Sequence, residues 1–161
     1  MKTTVNFTAF ADAFEAQGRG DNFSREGLQE LFDYLEEYEE STGEQIELDV
    51  IAICCDYSEY SIQEAIDYFG LTVDALGLSD ELEGLREAVV DDRMGAVNER
   101  LDEDMEAVLR EQYEEEAQSL GLAELIEEEE DAVKSALLEY FGEQSQVIDI
   151  PNSDRLVLLA Y

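Results

Sequence analysis

The chain has 161 residues, the size of an ordinary domain, and 45% of them are hydrophobic, with 7 Phe and 8 Tyr. This apolar content excludes a disordered acidic tail, because such tails lack the side chains that build a core. There are 43 Asp and Glu residues against 9 Lys and Arg residues, a formal net charge of −34, and no histidine. The lack of histidine excludes the Ser–His–Asp and Cys–His classes of enzyme and His-ligated metal sites.

Two helices are predicted near the start of the chain. Phenylalanines recur at helical spacing from Phe7 to Phe14 and predict a short amphipathic helix over residues 7–16. Ser24 is a favourable N-cap for a second helix, which Gly43 is placed to end. The second helix has an apolar inner stripe and an acidic outer face.

Three segments are predicted to form strands. Residues 45–55, QIELDVIAICC, alternate at first and then become fully apolar, as is typical of a central strand. Residues 146–150 and 155–161 are joined by the turn sequence PNSD and predict a hairpin. We expect this hairpin to pair with the strand at 45–55. The expected fold class is therefore α+β, with a small antiparallel three-stranded sheet packed with helices.

The middle of the chain has a different character. Ser61 is placed to cap a third helix over residues 62–69, which Gly70 ends. Residues 71–128 then carry 19 acidic and 4 basic side chains in a composition that favours helix. They predict a long acidic helical insertion within a single α+β domain that spans residues 1–161.

This insertion is expected to have one narrow apolar stripe. Ser79 is expected to cap it, Gly84 and Gly95 to kink or divide it, and Gly121 to end it before a last helix over residues 123–142. The stripe consists of Leu82, Leu85, Val89, Val97, Leu101, Met105, Val108 and Leu109.

Few residues suggest chemistry. Cys54 and Cys55 lie inside an apolar run and are expected to be reduced core residues. Residues 18–23, GRGDNF, lack the Lys and Ser/Thr of a phosphate-binding loop. Residues 102–106 are rich in carboxylates but lack the glycine and the glutamate spacing of a helix–loop–helix calcium site. We therefore expect a protein that is not an enzyme and that has no cofactor and no specific metal site.

The carboxylates are the residues that we expect to bind a partner. Positions i and i+4 of a helix lie about 6 Å apart along its axis, so a row of carboxylates resembles a row of phosphates. A basic groove that holds nucleic acid reads mainly charge and spacing in its phosphate contacts, so it can also hold such a surface. The predicted partner-binding residues are Asp92, Glu99, Glu103, Glu106, Glu111, Glu114, Glu115, Glu116, Glu127, Glu128, Glu130, Asp131, Glu36, Glu37 and Glu40.

Two segments carry a resemblance. Residues 21–69 resemble small uncharacterised acidic proteins of phages and prophages, and residues 146–161 resemble the terminal hairpin of those proteins. The resemblance implies an anti-defence factor of the anti-CRISPR or antirestriction type, which imitates DNA. It implies a basic nucleic-acid-binding protein or complex of the host as the partner, with no direct binding to nucleic acid.

No secretion signal and no apolar run of about 20 residues is found in the sequence, so we expect a cytoplasmic protein of the host bacterial cell that does not contact membranes.

Other functions stay open at this stage. The protein is also interpretable as a phage or host assembly protein, whose amphipathic arm packs on a partner helix or on a second copy in a homodimer. An acidic protein adapted to high salt is a further alternative, since only Lys2 and Lys134 represent lysine. A carboxylate enzyme or a specific calcium binder is the least favoured interpretation, because the abundance of acids makes any particular pair uninformative.

Overall fold

Eight helices and three strands are found in the residues that the structure, a computed structural model, describes. These are residues 5–97 and 103–159, with side chains described from Met105 onwards in the second range. The chain divides into two units, the first built from residues up to 65 and from 138 onwards, the second from residues 66–137. The segment 71–128 lies inside the second unit.

The elements follow one another in this order: α1 (Phe7–Ala16), a short 3₁₀ turn (Gly20–Asn22), α2 (Arg25–Thr42), α3 (Val50–Asp56), β1 (Tyr57–Ser61), α4 (Ile62–Phe69), α5 (Ser79–Gly95), α6 (Glu103–Ala117), α7 (Leu122–Glu128), α8 (Glu130–Gln144), β2 (Val147–Asp149) and β3 (Arg155–Leu159).

The α+β class is confirmed. The three strands form one antiparallel sheet in the order β1-β3-β2, so β3 is central, and Val157 pairs with both Glu59 and Ile148. The predicted hairpin of β2 and β3 is therefore present.

The predicted caps of α2 are also present. The Ser24 hydroxyl accepts a hydrogen bond of 2.9 Å from the Gly27 N–H, and Gly43 ends the helix in the left-handed conformation (φ 69°).

The predicted strand at 45–55 is wrong. Residues 50–56 form α3, because the Asp49 carboxylate accepts hydrogen bonds from the backbone N–H groups of Ile51 (3.0 Å) and Ala52 (3.1 Å) and so caps a helix. Val50 and Ile53 are buried while Ile51 is 46% exposed, which is the period of a helix. The third strand is instead β1, which follows directly.

Cys54 and Cys55 therefore lie on α3 and not on a strand. Both thiols are free, as predicted, but Cys54 is only half-buried and Cys55 is exposed on α3. The prediction that both are core residues is therefore wrong, because a helix of seven residues points only part of an apolar run inward.

The core of the first unit lies where α1, α2 and α3 meet the sheet. The ring centroid of Phe10 lies 5.1 Å from that of Phe14 and 5.3 Å from that of Phe32, in tilted arrangements, and all three rings are buried. Val157, on the central strand β3, packs in the same cluster. Aromatic pairs at these spacings add stability beyond the area that they bury.

One carboxylate joins the sheet to α2. The side chain of Glu59, in the middle of β1, is 1% exposed and is paired with the guanidinium of Arg155 on β3. Its other oxygen accepts a hydrogen bond of 2.6 Å from the backbone N–H of Ser24, at the start of α2. A Cβ atom added at Gly27 would collide with this carboxylate, so the glycine allows the close approach.

The second unit agrees with its predicted outline in one place and differs from it in two. As expected, Gly95 divides the helical segment, because α5 ends there, whereas the helix runs through Gly84. Ser79 is not the cap, since its hydroxyl donates to Asp74 (2.9 Å) and the helix begins at Ser79 itself. Gly121 does not end a helix but precedes α7, with its N–H donated to Glu124 (2.8 Å).

The apolar stripe and the last helix are also corrected. Leu82 is buried, but Met105 is 51% exposed and Val108 is 64% exposed, so these two are not core residues. Leu101 lies outside the described residues. The helix expected over 123–142 is two helices, α7 and α8, with a break at Glu129.

Replacing Glu59 with Gln tests its role. The change removes the buried counter-ion of Arg155, and we expect the free energy of unfolding to fall by about 2 kcal/mol in urea denaturation. Glu64→Gln is the matched control, because Glu64 lies 3.9 Å from the same arginine with its side chain 60% exposed. An equal loss in both variants would contradict a special role for Glu59.

A second prediction concerns alkaline pH. Burial, followed by the neighbouring Tyr34 at 6.3 Å between ring centroids, raises the pKa of Tyr57 to about 12. The unfolded value is about 10, so the neutral phenol contributes stability below pH 10 that is lost as the pH rises from about 10 to about 12. Tyr57→Phe should abolish this part of the loss when unfolding midpoints are measured across that range.

The control is Tyr68→Phe, whose side chain is 72% exposed and which should follow the original protein. The assignment to Tyr57 fails if Tyr57→Phe and the original protein lose stability in parallel above pH 10.

Candidate partner-binding surfaces

Three described arginines of the second unit, Arg86, Arg93 and Arg110, bind groups within the same unit. Arg86 of α5 donates to the backbone oxygen of Leu120 (2.9 Å) and lies 3.5 Å from Glu83. Arg110 of α6 lies 3.6 Å from Asp91 of α5. Arg110 thus connects α6 to α5, and Arg86 connects α5 to the loop after α6.

A third arginine makes the most specific of these contacts. Arg93 of α5 donates a hydrogen bond to the carboxylate of Glu116 on α6, and its guanidinium lies 5.7 Å from the ring centroid of Tyr113. Gln112 donates to the same carboxylate at 3.2 Å. Glu116 therefore holds α5 and α6 together, whereas it was expected to face a partner.

One face of α6 carries exposed acids. Ala117 is 3% exposed and marks the inner side of the helix. The helical period places Val108, Glu111 and Glu115 on the opposite side, and all three are exposed. Glu111 and Glu115 are one turn apart, about 6 Å along the axis. In the described part of the chain neither carboxylate has an ion pair, so their charge faces solvent.

The structure separates the remaining residues of the predicted set in this unit. Asp92 is exposed on α5 and Glu106 is exposed on α6. Glu99 and the side chain of Glu103 lie outside the described residues. Because α5 ends at Gly95, no single helix carries a ladder from Asp92 to Glu106. Glu114 lines a shallow cavity of about 350 Å³ together with Arg86 and Arg110.

The acids from 127 to 131 surround the break between α7 and α8. Glu127 and Glu128 are exposed at the end of α7, and Glu130 and Asp131 are exposed in the first turn of α8. The positive end of the α8 dipole stabilises Glu130 and Asp131. Glu130 and Asp131 therefore serve helix formation as well as surface charge.

In the first unit, Glu36, Glu37 and Glu40 are exposed along α2, as their positions predict. A groove of about 660 Å³, which was not predicted, lies beside them. Phe32 and Leu35 of α2 and Leu48 of the loop after it line this groove. Its side chains come from segments that are far apart in the sequence, so no local pattern indicates it.

The described residues include side chains of the metal-binding and reactive types, Asp, Glu and Cys. No cluster of three His, Cys, Asp or Glu side chains in metal-binding geometry is present in that part of the chain. Burial raises the pKa of the Cys54 thiol, so this cysteine stays protonated at neutral pH. The pKa of Glu64 lies below its usual range, because its carboxylate accepts a hydrogen bond from the Ser61 N–H at 2.8 Å and so caps α4.

Comparisons with protein-family models, with curated proteins and with solved structures found no match for this chain. Among the described helices, none combines the length and the apolar character that crossing a bilayer needs.

The two neighbouring acids Glu115 and Glu116 allow a direct comparison. Glu116→Gln breaks the pair with Arg93, and we expect the free energy of unfolding to fall by about 0.5–1 kcal/mol, since both side chains are 46% exposed. Glu115→Gln removes only a repulsive charge and should leave stability unchanged or slightly higher. Urea denaturation followed by circular dichroism measures both, and a double-mutant cycle with Arg93→Gln isolates the pair. If Glu115→Gln costs as much as Glu116→Gln, the pair does not hold the helices.

Proposed function

We propose that this protein is an anionic inhibitor that imitates nucleic acid and occupies the basic DNA- or RNA-binding surface of a host defence complex, a CRISPR effector or a restriction enzyme. The observation that supports the proposal best is the outward face of α6. A folded protein of net charge −34 presents Glu111 and Glu115 there one helical turn apart, while Arg86, Arg93 and Arg110 are engaged in contacts within the unit.

Such a surface suits a basic groove for two physical reasons. A rigid helix holds its carboxylates at fixed spacing, so little conformational entropy is lost when they meet a row of Arg and Lys side chains. A net charge far beyond the magnitude of about 2–8 that small domains need for solubility also steers the encounter and raises the association rate. Both effects weaken as salt screens the charges.

The choice of a defence complex depends on the resemblance of residues 21–69 and 146–161 to phage and prophage proteins. In that setting the protein acts in the host cytoplasm, as a protein ligand and without catalysis. The exposed acids of α2, Glu36, Glu37 and Glu40, extend the proposed surface in the first unit.

The test begins with a tagged pulldown from bacterial lysate at about 50 mM and about 500 mM NaCl, with the retained proteins identified. We expect a DNA- or RNA-handling complex at low salt, released by high salt or by added duplex. The variant Glu111→Gln/Glu115→Gln should weaken its binding about tenfold, because two charges directed at the basic surface are lost.

The control variant is Glu139→Gln/Glu143→Gln. These residues are also exposed, lie four positions apart on α8 and carry the same total charge. Binding that is weakened equally by both double variants would show that net charge alone matters and would reject the α6 face. Retention of no nucleic-acid-handling protein at low salt would reject the proposed function.

A second candidate function, an interaction or assembly protein that pairs with its own copy, is favoured by one observation. Met105 and Val108 are 51% and 64% exposed and lie three positions apart on α6, so this helix exposes two neighbouring apolar side chains to solvent. This function predicts a stable dimer at about 500 mM NaCl, where repulsion between copies is screened, and Val108→Ser should shift sedimentation towards the monomer. A monomer under all conditions would leave the inhibitor as the better candidate.

A further inference from the structure

The groove in the first unit has an apolar floor. It lies between the second half of α2 and the loop that follows. This floor is formed by Phe10, Phe32, Leu35, Leu48 and Ile53. Its volume of about 660 Å³ falls within the range of about 300–1,000 Å³ that is typical of binding sites for small ligands and side chains. The groove is therefore large enough for more than one bulky side chain.

The rim of the groove is acidic. Glu36 of α2 and Glu47 of the loop line it, and no basic side chain does so among the described residues. Glu39 also lines it, but its carboxylate accepts a hydrogen bond of 2.5 Å from the Ile46 N–H and so fixes the loop against α2. The C-terminal end of α2, with no basic residue in its last turn, adds the negative end of the helix dipole nearby.

We propose that this groove binds a basic segment of a partner protein, which inserts one or two bulky apolar side chains between flanking Arg or Lys residues. Charge complementarity identifies the occupant. The acidic rim of Glu36 and Glu47 attracts cationic side chains, and the floor of Phe32 and Leu48 accepts apolar ones. This inference goes beyond the proposed function and stands without it.

The charge of the rim and of the chain argues against other occupants. A second copy of this chain carries the same net charge of −34 and is repelled at low salt. Nucleic acid and anionic lipid surfaces are repelled for the same reason. A basic amphipathic segment satisfies both the rim and the floor.

The two parts of the groove predict different responses to salt. Contacts to Glu36 and Glu47 weaken at high salt, whereas the contact with the apolar floor is not screened. Binding to the groove should therefore keep a measurable remainder at about 500 mM NaCl, where contacts to an open acidic surface are largely lost.

The probe is a synthetic peptide of about ten residues with a Trp-Leu pair between Arg and Lys residues. Since the chain contains no Trp, the indole emission reports on the peptide alone. We expect a blue shift and saturable binding to the full chain, because the indole enters an apolar site. The control is a peptide of the same charge with Ser in place of Trp and Leu, whose binding is detected through a fluorophore attached to its end. It should bind at least about tenfold more weakly.

Two pairs of variants locate the site. Ile46→Ser removes an apolar side chain from the lining and should weaken the peptide about fivefold, while Ile51→Ser, an exposed isoleucine outside the lining, should have no effect. Glu36→Gln/Glu47→Gln should weaken binding about threefold to tenfold at low salt. Its control, Glu139→Gln/Glu143→Gln, removes the same charge from exposed positions of α8 outside the lining and should have a much smaller effect.

Three results would overturn the inference. The first is the absence of a blue shift with the original protein at low salt. The second is equal affinity of Ile46→Ser and Ile51→Ser for the peptide. The third is an equal loss in the two double Gln variants, which would assign the binding to the general negative field of the protein and not to the groove.

Discussion

The buried carboxylate of Glu59 is the contact on which the first unit depends. It lies at the point where the sheet meets α2, bound on one side by the Arg155 guanidinium and on the other by the Ser24 N–H. A carboxylate with its side chain 1% exposed is stable there only because both oxygens have donors. The same contact sets the start of α2. Through α2 it positions Glu36, Glu37 and Glu40 and the groove that α2 lines.

Scarcity of positive charge is the matching constraint in the second unit. With only 9 Lys and Arg residues in the chain, each arginine that pairs internally leaves the exposed carboxylates without compensation. Arg93 and Arg110 connect α5 to α6, where the sequence predicted an apolar stripe. The helices can therefore pack with Val108 outside, because ion pairs and the Tyr113 ring supply contacts that apolar side chains were expected to make.

Local signals made much of the fold predictable, and competition between signals explains the errors. The bounds of α1, α2 and α4 follow from the spacing of Phe residues and from caps at single positions, which act within a few residues. The apolar run at 45–55 was compatible with a strand and with a helix, and the Asp49 cap decided for the helix. The exposed acids of the candidate surface were predictable from helical spacing. The Arg93–Glu116 pair was not, because it joins positions 23 apart across two helices.

The acidic faces and the groove offer a partner two kinds of contact with different consequences. Exposed carboxylates such as Glu111 and Glu115 raise the association rate with any basic surface, and salt screens them, so they discriminate poorly between basic partners. In the binding site proposed for the groove, the apolar floor adds a contact that only a segment with a bulky apolar side chain makes. A protein with net charge −34 meets many cationic surfaces in a cell, so selection among them has to come from contacts that do not depend on charge alone. In the described part of this chain, the groove of the first unit has the shape and the lining for such contacts.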